Sequence, residues 1–117
     1  MGYFSLTKSD FNSELIKAEY KSSLKQGFFC FGSSHFFCVK GFKKYFIEYA
    51  EIERAFRRVM LISNGNRKDY RMETLVIMSS GNEVANFGIK TTEEAVKILD
   101  MLKDRAPSAL FVCPEKE

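Results

Sequence analysis

Apolar residues recur along the chain in two rhythms, and each change of rhythm marks an element boundary. The stretch Thr7 to Gly27, TKSDFNSELIKAEYKSSLKQG, has helical spacing. Phe11, Leu15, Ala18 and Leu24 share a stripe, with Ile16 and Tyr20 at its edge. Thr7, Ser9 or Asp10 can cap the start of this helix, and Gly27 offers its stop.

The rhythm then changes at FFCFGSSHFFC, Phe28 to Cys38. Gly32-Ser33 suits a two-residue type II′ turn, because glycine takes the first position at no steric cost. That register pairs Phe31 with Ser34, Cys30 with His35 and Phe29 with Phe36. One face then carries Phe29, Phe31, Phe36 and Cys38, and the other carries Phe28, Cys30, His35 and Phe37. Both faces are apolar, so the hairpin needs cover on both sides. The N-terminal helix or a subunit interface would supply the second cover.

After KGFKK, the run YFIEY reads as a strand with Tyr45, Ile47 and Tyr49 on one side. EYAEIERAFRRVMLI allows two readings. Ile52, Ala55, Phe56 and Val59 follow helical spacing, and propensity agrees. A tight turn at Ala50-Glu51 followed by a strand through Ile62 fits as well, so composition leaves residues 50–60 open. NGNRKD is a loop with a turn signal at Asn64-Gly65. METLVIMS and EVANFGI are strands flanking Ser80-Gly81-Asn82, and Ala85, Phe87 and Ile89 fall on one face of the second.

TTEEAVKILDMLKDRAP is a helix with a capping box, Thr91 capping and Glu94 reaching back. Ala95, Ile98, Leu99 and Leu102 form its apolar face, bordered by Val96 and Met101. Lys103 and Arg105 sit where the helix dipole favours cations, and Pro107 ends it. ALFVC is too apolar to hang in water and reads as extended and packed.

The order of elements resembles the bacterial pleckstrin-homology-like domains. The likeness lies in FFCFGSSHFFCV, KYFIEYAEIERAFRRV and TLVIMSSGNEVANFGIKTTEEAVKILDML, about residues 27–105, with Tyr49-Ala-Glu-Ile52 at the turn into a long strand. It implies an α+β fold: an antiparallel meander or partly open barrel of about six strands, capped by a C-terminal amphipathic helix, with an extra N-terminal helix. It also implies a strand at residues 53–62 and a binding or assembly module rather than an enzyme. The expected organisation is one domain over 1–117, with a helical extension at 1–26, a core at 27–105 and a tail at 106–117.

Bulk properties narrow the classes. The length suits one domain whose core needs no staple. The N-terminus has no basic segment followed by an apolar stretch, and the three cysteines, Cys30, Cys38 and Cys113, are an odd number. A reduced, cytoplasmic setting with free buried thiols is the simplest reading. The longest run without Lys, Arg, Asp or Glu, Gln26 to Val39, has 14 residues. A transmembrane helix needs roughly 20.

Candidate chemistry is sparse. The spacing C-x4-H-x2-C around Cys30, His35 and Cys38 does not suit zinc, and the register points the two thiols to opposite faces. Four phenylalanines around Cys30 and His35 favour a desolvated thiol over an activated thiolate. No glycine-rich phosphate loop, metal or cofactor is implied.

Charge is unevenly placed: Lys40 to Arg71 carries nine basic against four acidic residues, and Met72 to Glu117 carries five against eight. Lys43, Lys44, Arg54, Arg57, Arg58, Arg67, Lys68 and Arg71 are the candidate anion-binding residues. A strand at 53–62 would put Arg54 and Arg58 on one face and Arg57 on the other. In pleckstrin-homology domains, basic residues of the early hairpin loop bind inositol phosphates. The loop Gly32-Ser33-Ser34 has none.

The leading expectation is a non-catalytic module that binds protein, including a second copy of itself as a homo-oligomer. The alternative is an anionic surface, membrane headgroups or nucleic acid, bound through the basic central segment. Nucleic acid is disfavoured by the modest net charge of +3, and peripheral membrane contact ranks below protein.

Overall fold

The computed structural model describes residues 2–62, 65 and 70–112, and among them eight strands and two α-helices form. The class is therefore α+β and the strands are mostly antiparallel. They make two open sheets of five and three strands rather than one meander of about six. The chain divides into two compact units, Met1–Ile52 and Glu53–Glu117.

The first unit holds β1 (Gly2–Ser5), α1 (Ser13–Ser22), β2 (Leu24–Gln26), β3 (Phe29–Phe31), β4 (His35–Lys40) and β5 (Lys43–Glu48). A 3-10 turn, Tyr49–Glu51, follows. Strand order is β1-β5-β4-β3-β2, a meander from β2 to β5 with β1 added in parallel to β5. The N-terminal 26 residues thus contribute two strands besides their helix.

That helix is shorter than the spacing predicts. Asn12 caps it, its Oδ1 accepting from the N–H groups of Glu14 at 3.0 Å and Leu15 at 3.1 Å. Lys8 has a left-handed φ of 60°, which a helix cannot continue through. Ser23 turns extended, and Leu24–Gln26 pair with β3. The predicted stripe is not the buried one. Leu15 and Leu24 are exposed, and Ile16 is buried on Cys30, Phe37 and Phe46, with Tyr20 beside them.

The hairpin register also differs. Phe31 faces Phe36, Cys30 faces Phe37 and Phe29 faces Cys38, so Ser33-Ser34 forms the centre of the turn and Gly32 keeps an ordinary negative φ. Each partner is displaced by two residues. Because side chains alternate with period two, a two-residue slip preserves the faces. Phe29, Phe31, Phe36 and Cys38 still share one side, Cys30 and Phe37 the other, and all six are buried. Phe28 is the exception, 56 % exposed in the Gly27-Phe28 turn before the strand begins.

The second unit holds β6 (Arg54–Ile62), β7 (Tyr70–Ser79), β8 (Asn82–Ile89) and α2 (Thr92–Arg105). Residues 54–62 are therefore a strand, against helix propensity. Nine residue pairs with β7 outweigh a preference worth at most ~0.7 kcal/mol per ordinary residue. The β7–β8 turn places Ser80 at φ 53° and Gly81 at φ 80°, the signature of a type I′ hairpin. Glu53 accepts the Gly81 N–H at 2.7 Å.

α2 begins as its sequence predicts. Thr91 Oγ1 accepts from Glu94 N–H at 3.1 Å, and the Glu94 carboxylate reaches back to Lys90 N–H at 3.2 Å. Ala95, Ile98 and Leu102 are fully buried. After the helix, Leu110 bridges to Arg54 in parallel, accepting from Ala55 N–H at 3.0 Å and donating to Glu53 at 2.9 Å. The segment expected to be extended and packed is so only in part: Leu110 makes the bridge, Ala109 is buried, and Leu110 and Val112 are exposed; Cys113 lies outside the described residues.

Candidate functional site

The β3–β4 turn is closed by its own hydrogen bond, Gly32 N–H donating to His35 C=O at 2.9 Å, and is tied down further by side chains. Ser34 and His35 donate their N–H groups to Glu19 Oε2, both at 2.7 Å, and His35 Nδ1 lies 2.8 Å from Glu19 Oε1. Tyr49 donates its hydroxyl to Gly32 C=O at 2.8 Å. Glu19 and His35 are 12 % and 17 % exposed. One carboxylate therefore bolts α1 to the turn through three contacts, two on Oε2 and one on Oε1. His35 is not opposite Cys30, so the predicted cross-strand contact does not form.

The thiols sit in surroundings that hold them protonated. Burial pushes the Cys30 thiol up, only partly offset by Lys25 and by hydrogen bonds from Ser23 and Tyr20. Burial pushes Cys38 well up, and the two thiols stay on opposite faces. Among the described residues no group of three His, Cys, Asp or Glu side chains could hold a metal ion.

Within the second unit, the described arginines among the predicted anion-binding residues are engaged with carboxylates or a carbonyl. Arg57 pairs with Glu73 at 3.2 Å, and Arg71 reaches the same carboxylate at 3.8 Å. Arg58 pairs with Glu83 at 3.1 Å. Arg54 donates to the Val112 carbonyl at 3.2 Å. As the strand reading requires, Arg54 and Arg58 lie on one face and Arg57 on the other. Lys44 is buried, its ammonium 5.2 Å from the Tyr20 ring centre and 5.7 Å from that of Tyr3. Arg67 and Lys68 lie outside the described residues.

Lys43 belongs to the first unit, in a constellation that the sequence reasoning missed. Two tight turns, Gly27-Phe28 and Gly41-Phe42, project from the same end of the five-stranded sheet. Val39 N–H donates to Phe28 C=O at 2.8 Å, which ties the first turn to the strand leading into the second. Gly27 and Gly41 both take positive φ, 62° and 63°, so each supplies the bend and leaves a phenylalanine beside it at the tip. Phe42 is 85 % exposed. Lys40 and Lys43 face each other directly across its turn, both exposed, and the Lys43 ammonium lies 5.6 Å from the ring centre of half-exposed Phe4.

The segment that builds this end has no counter-charge of its own. Residues 20–47 contain five lysines and not one Asp or Glu. The signal in the sequence is the repeated Gly-Phe pair, Gly27-Phe28 and Gly41-Phe42, each with lysines nearby. Phe28 was absorbed into the apolar hairpin instead, and KGFKK was passed over as a connection.

Comparison of the chain with protein-family models, curated proteins and solved structures found no match.

Proposed function

We propose that the chain is a non-catalytic module that docks on an anionic lipid surface through the turn tips of Phe28 and Phe42. One observation carries this reading: an almost fully exposed phenylalanine at the apex of a turn whose two flanking positions are lysines. Water is a poor place for such a ring. Full burial of a phenylalanine is worth about 1.5–3 kcal/mol, and a lysine near an anionic bilayer surface about 1 kcal/mol. Two partly inserted rings with two or three lysines give a few kcal/mol, enough for reversible docking. No helix among the described residues is long and apolar enough to cross a membrane.

The order of elements supports the same class. Antiparallel strands followed by a closing C-terminal helix are compatible with a binding module of the kind that the pleckstrin-homology-like resemblance implies. The lysines here meet charge rather than a shaped headgroup, so the module responds to anionic lipid in general. The two burial-raised thiols support the non-catalytic part.

Co-sedimentation with phosphatidylserine-containing vesicles tests the reading. Binding is expected at low salt, weakening as salt rises, and is absent on neutral phosphatidylcholine vesicles. A Phe28→Ser/Phe42→Ser protein with unchanged stability should lose it. Equal retention of that variant would refute the assignment.

A further inference from the structure

Two turn tips define a line, and a body resting on a line is free to rock about it. The register of β1 supplies a contact off that line. Gly2 pairs with Lys43 and Phe4 with Tyr45, so β1 starts at the end of the sheet from which both Gly-Phe turns project. With strands about 4.8 Å apart, β1 lies about 7 Å to one side of the Phe42 turn and the Phe28 turn about 10 Å to the other. Phe4 is 42 % exposed, and its ring folds back toward that end: a Cβ on Gly2 would meet its Cε2 and Cζ at 3.0 Å. The ring leans on Tyr45, 5.7 Å between centres, and lies under the Lys43 ammonium. Paired residues share a face, so Phe4, Tyr45, Lys43 and Lys40 stand on one side of the sheet. Phe4 thus offers apolar area beside the tips and holds one tip lysine through its ring.

Charge is just as uneven along the strands. Carboxylates gather at the opposite end, where Glu48 closes β5 against His35 and Glu51 accepts from Thr7 and Ser9. Glu19 accepts from Ser34 and His35 there. That end stays acidic even with Lys8 counted, whose N–H bonds back to Ser5 at the close of β1. Lys43 and Glu48 are the two ends of β5, about 17 Å apart along a strand, or roughly twice the Debye length at physiological salt. We infer that Phe4 is a third insertion residue and that the first unit docks end-on, with β4 and β5 upright on the anionic bilayer. This rests on the docking reading above and adds its orientation. Phe42 reaches deepest, while Phe4 sits at headgroup level, where Lys43 meets phosphate. A flat pose would press exposed Glu48 against like charge, whereas the upright pose holds it in water.

The test uses the full chain with single tryptophan reporters, since the sequence has none of its own. Phe42→Trp reads the tip, Phe4→Trp the third contact, and Ala50→Trp the exposed turn at the acidic end. On phosphatidylserine-containing vesicles at low salt, the first two should be quenched by brominated lipid. Phe42→Trp should respond to bromines deeper in the chains, and Phe4→Trp to those nearest the headgroup. Ala50→Trp should keep the emission of indole in water. Phe4→Ser should weaken vesicle partition about three- to tenfold, as expected for losing half a ring's burial. Because that variant can loosen β1, the reporters decide. A Phe4→Trp that escapes quenching while Phe42→Trp is quenched overturns the inference and leaves the docking reading standing. Quenching of Ala50→Trp means a flat pose and overturns it too. Failure at Phe42→Trp removes both.

Discussion

The carboxylate of Glu19 occupies the space that a Cβ on Gly32 would need. Its Cγ would lie 2.7 Å from that carbon, and Oε2 closer still. Gly32 is therefore required for a close approach, not for the turn geometry that a Gly-Ser pair suggests. Gly32→Ala should destabilise the fold by about 1–3 kcal/mol through overpacking. Urea denaturation measures it. In a Glu19→Ala background the same change should cost much less, a coupling that a double-mutant cycle would expose.

Glu19 itself is a keystone of the first unit. Removing it strands the N–H groups of Ser34 and His35 and one imidazole nitrogen. Glu19→Ala should cost about 2–3 kcal/mol, the range for lost hydrogen bonds to a charged group. Glu19→Gln keeps an acceptor for the backbone and should cost less. Equal losses in the two variants would mean that the charge of the carboxylate, and not an acceptor oxygen at that place, holds the turn.

Thr74 presents the opposite case. Its hydroxyl is buried in β7, with no partner among the described residues. Thr74→Val keeps the shape and removes the unsatisfied group, so it should raise stability by about 1 kcal/mol. A lower unfolding midpoint for Thr74→Val would show that the hydroxyl is bonded.

Glu73 links pH to stability. The Thr92 hydroxyl donates to its carboxylate at 2.8 Å and, with Arg57 and Arg71, holds the pKa below its ordinary value. A carboxylate with a depressed folded pKa adds stability above its unfolded pKa. That contribution is lost as pH falls through the lower folded value. The denaturation midpoint should therefore drop on acidification below about pH 4.5, the ordinary glutamate value. Glu73→Gln should flatten this part of the profile, and an unchanged slope would contradict it.

The capping box, the C-terminal helix and the β7–β8 hairpin were legible because local signals and tertiary demands agree there. The face assignment of the aromatic hairpin was also legible, although its register was not. Alternation fixes faces modulo two residues, whereas register was set by Glu19 and Tyr49, distant groups that no local pattern reveals. Composition alone leaves residues 54–62 open for a related reason: Glu, Arg and Ala favour helix, and only pairing with β7 decides for the strand that the resemblance implies. β1 is four residues of parallel pairing that nothing local announces. Whether the basic central segment forms one patch is not legible, because sequence distance conceals the carboxylates that pair with it. Glu73 and Glu83 neutralise arginines more than a dozen residues away.

The central claim is that Phe42 enters a bilayer interface. The chain has no tryptophan, so Phe42→Trp creates a single reporter at the tip. On adding phosphatidylserine-containing vesicles at low salt, its fluorescence should shift to the blue and become quenchable by brominated lipid. Emission that stays at the wavelength of water-exposed indole, with vesicles in excess, would contradict the account.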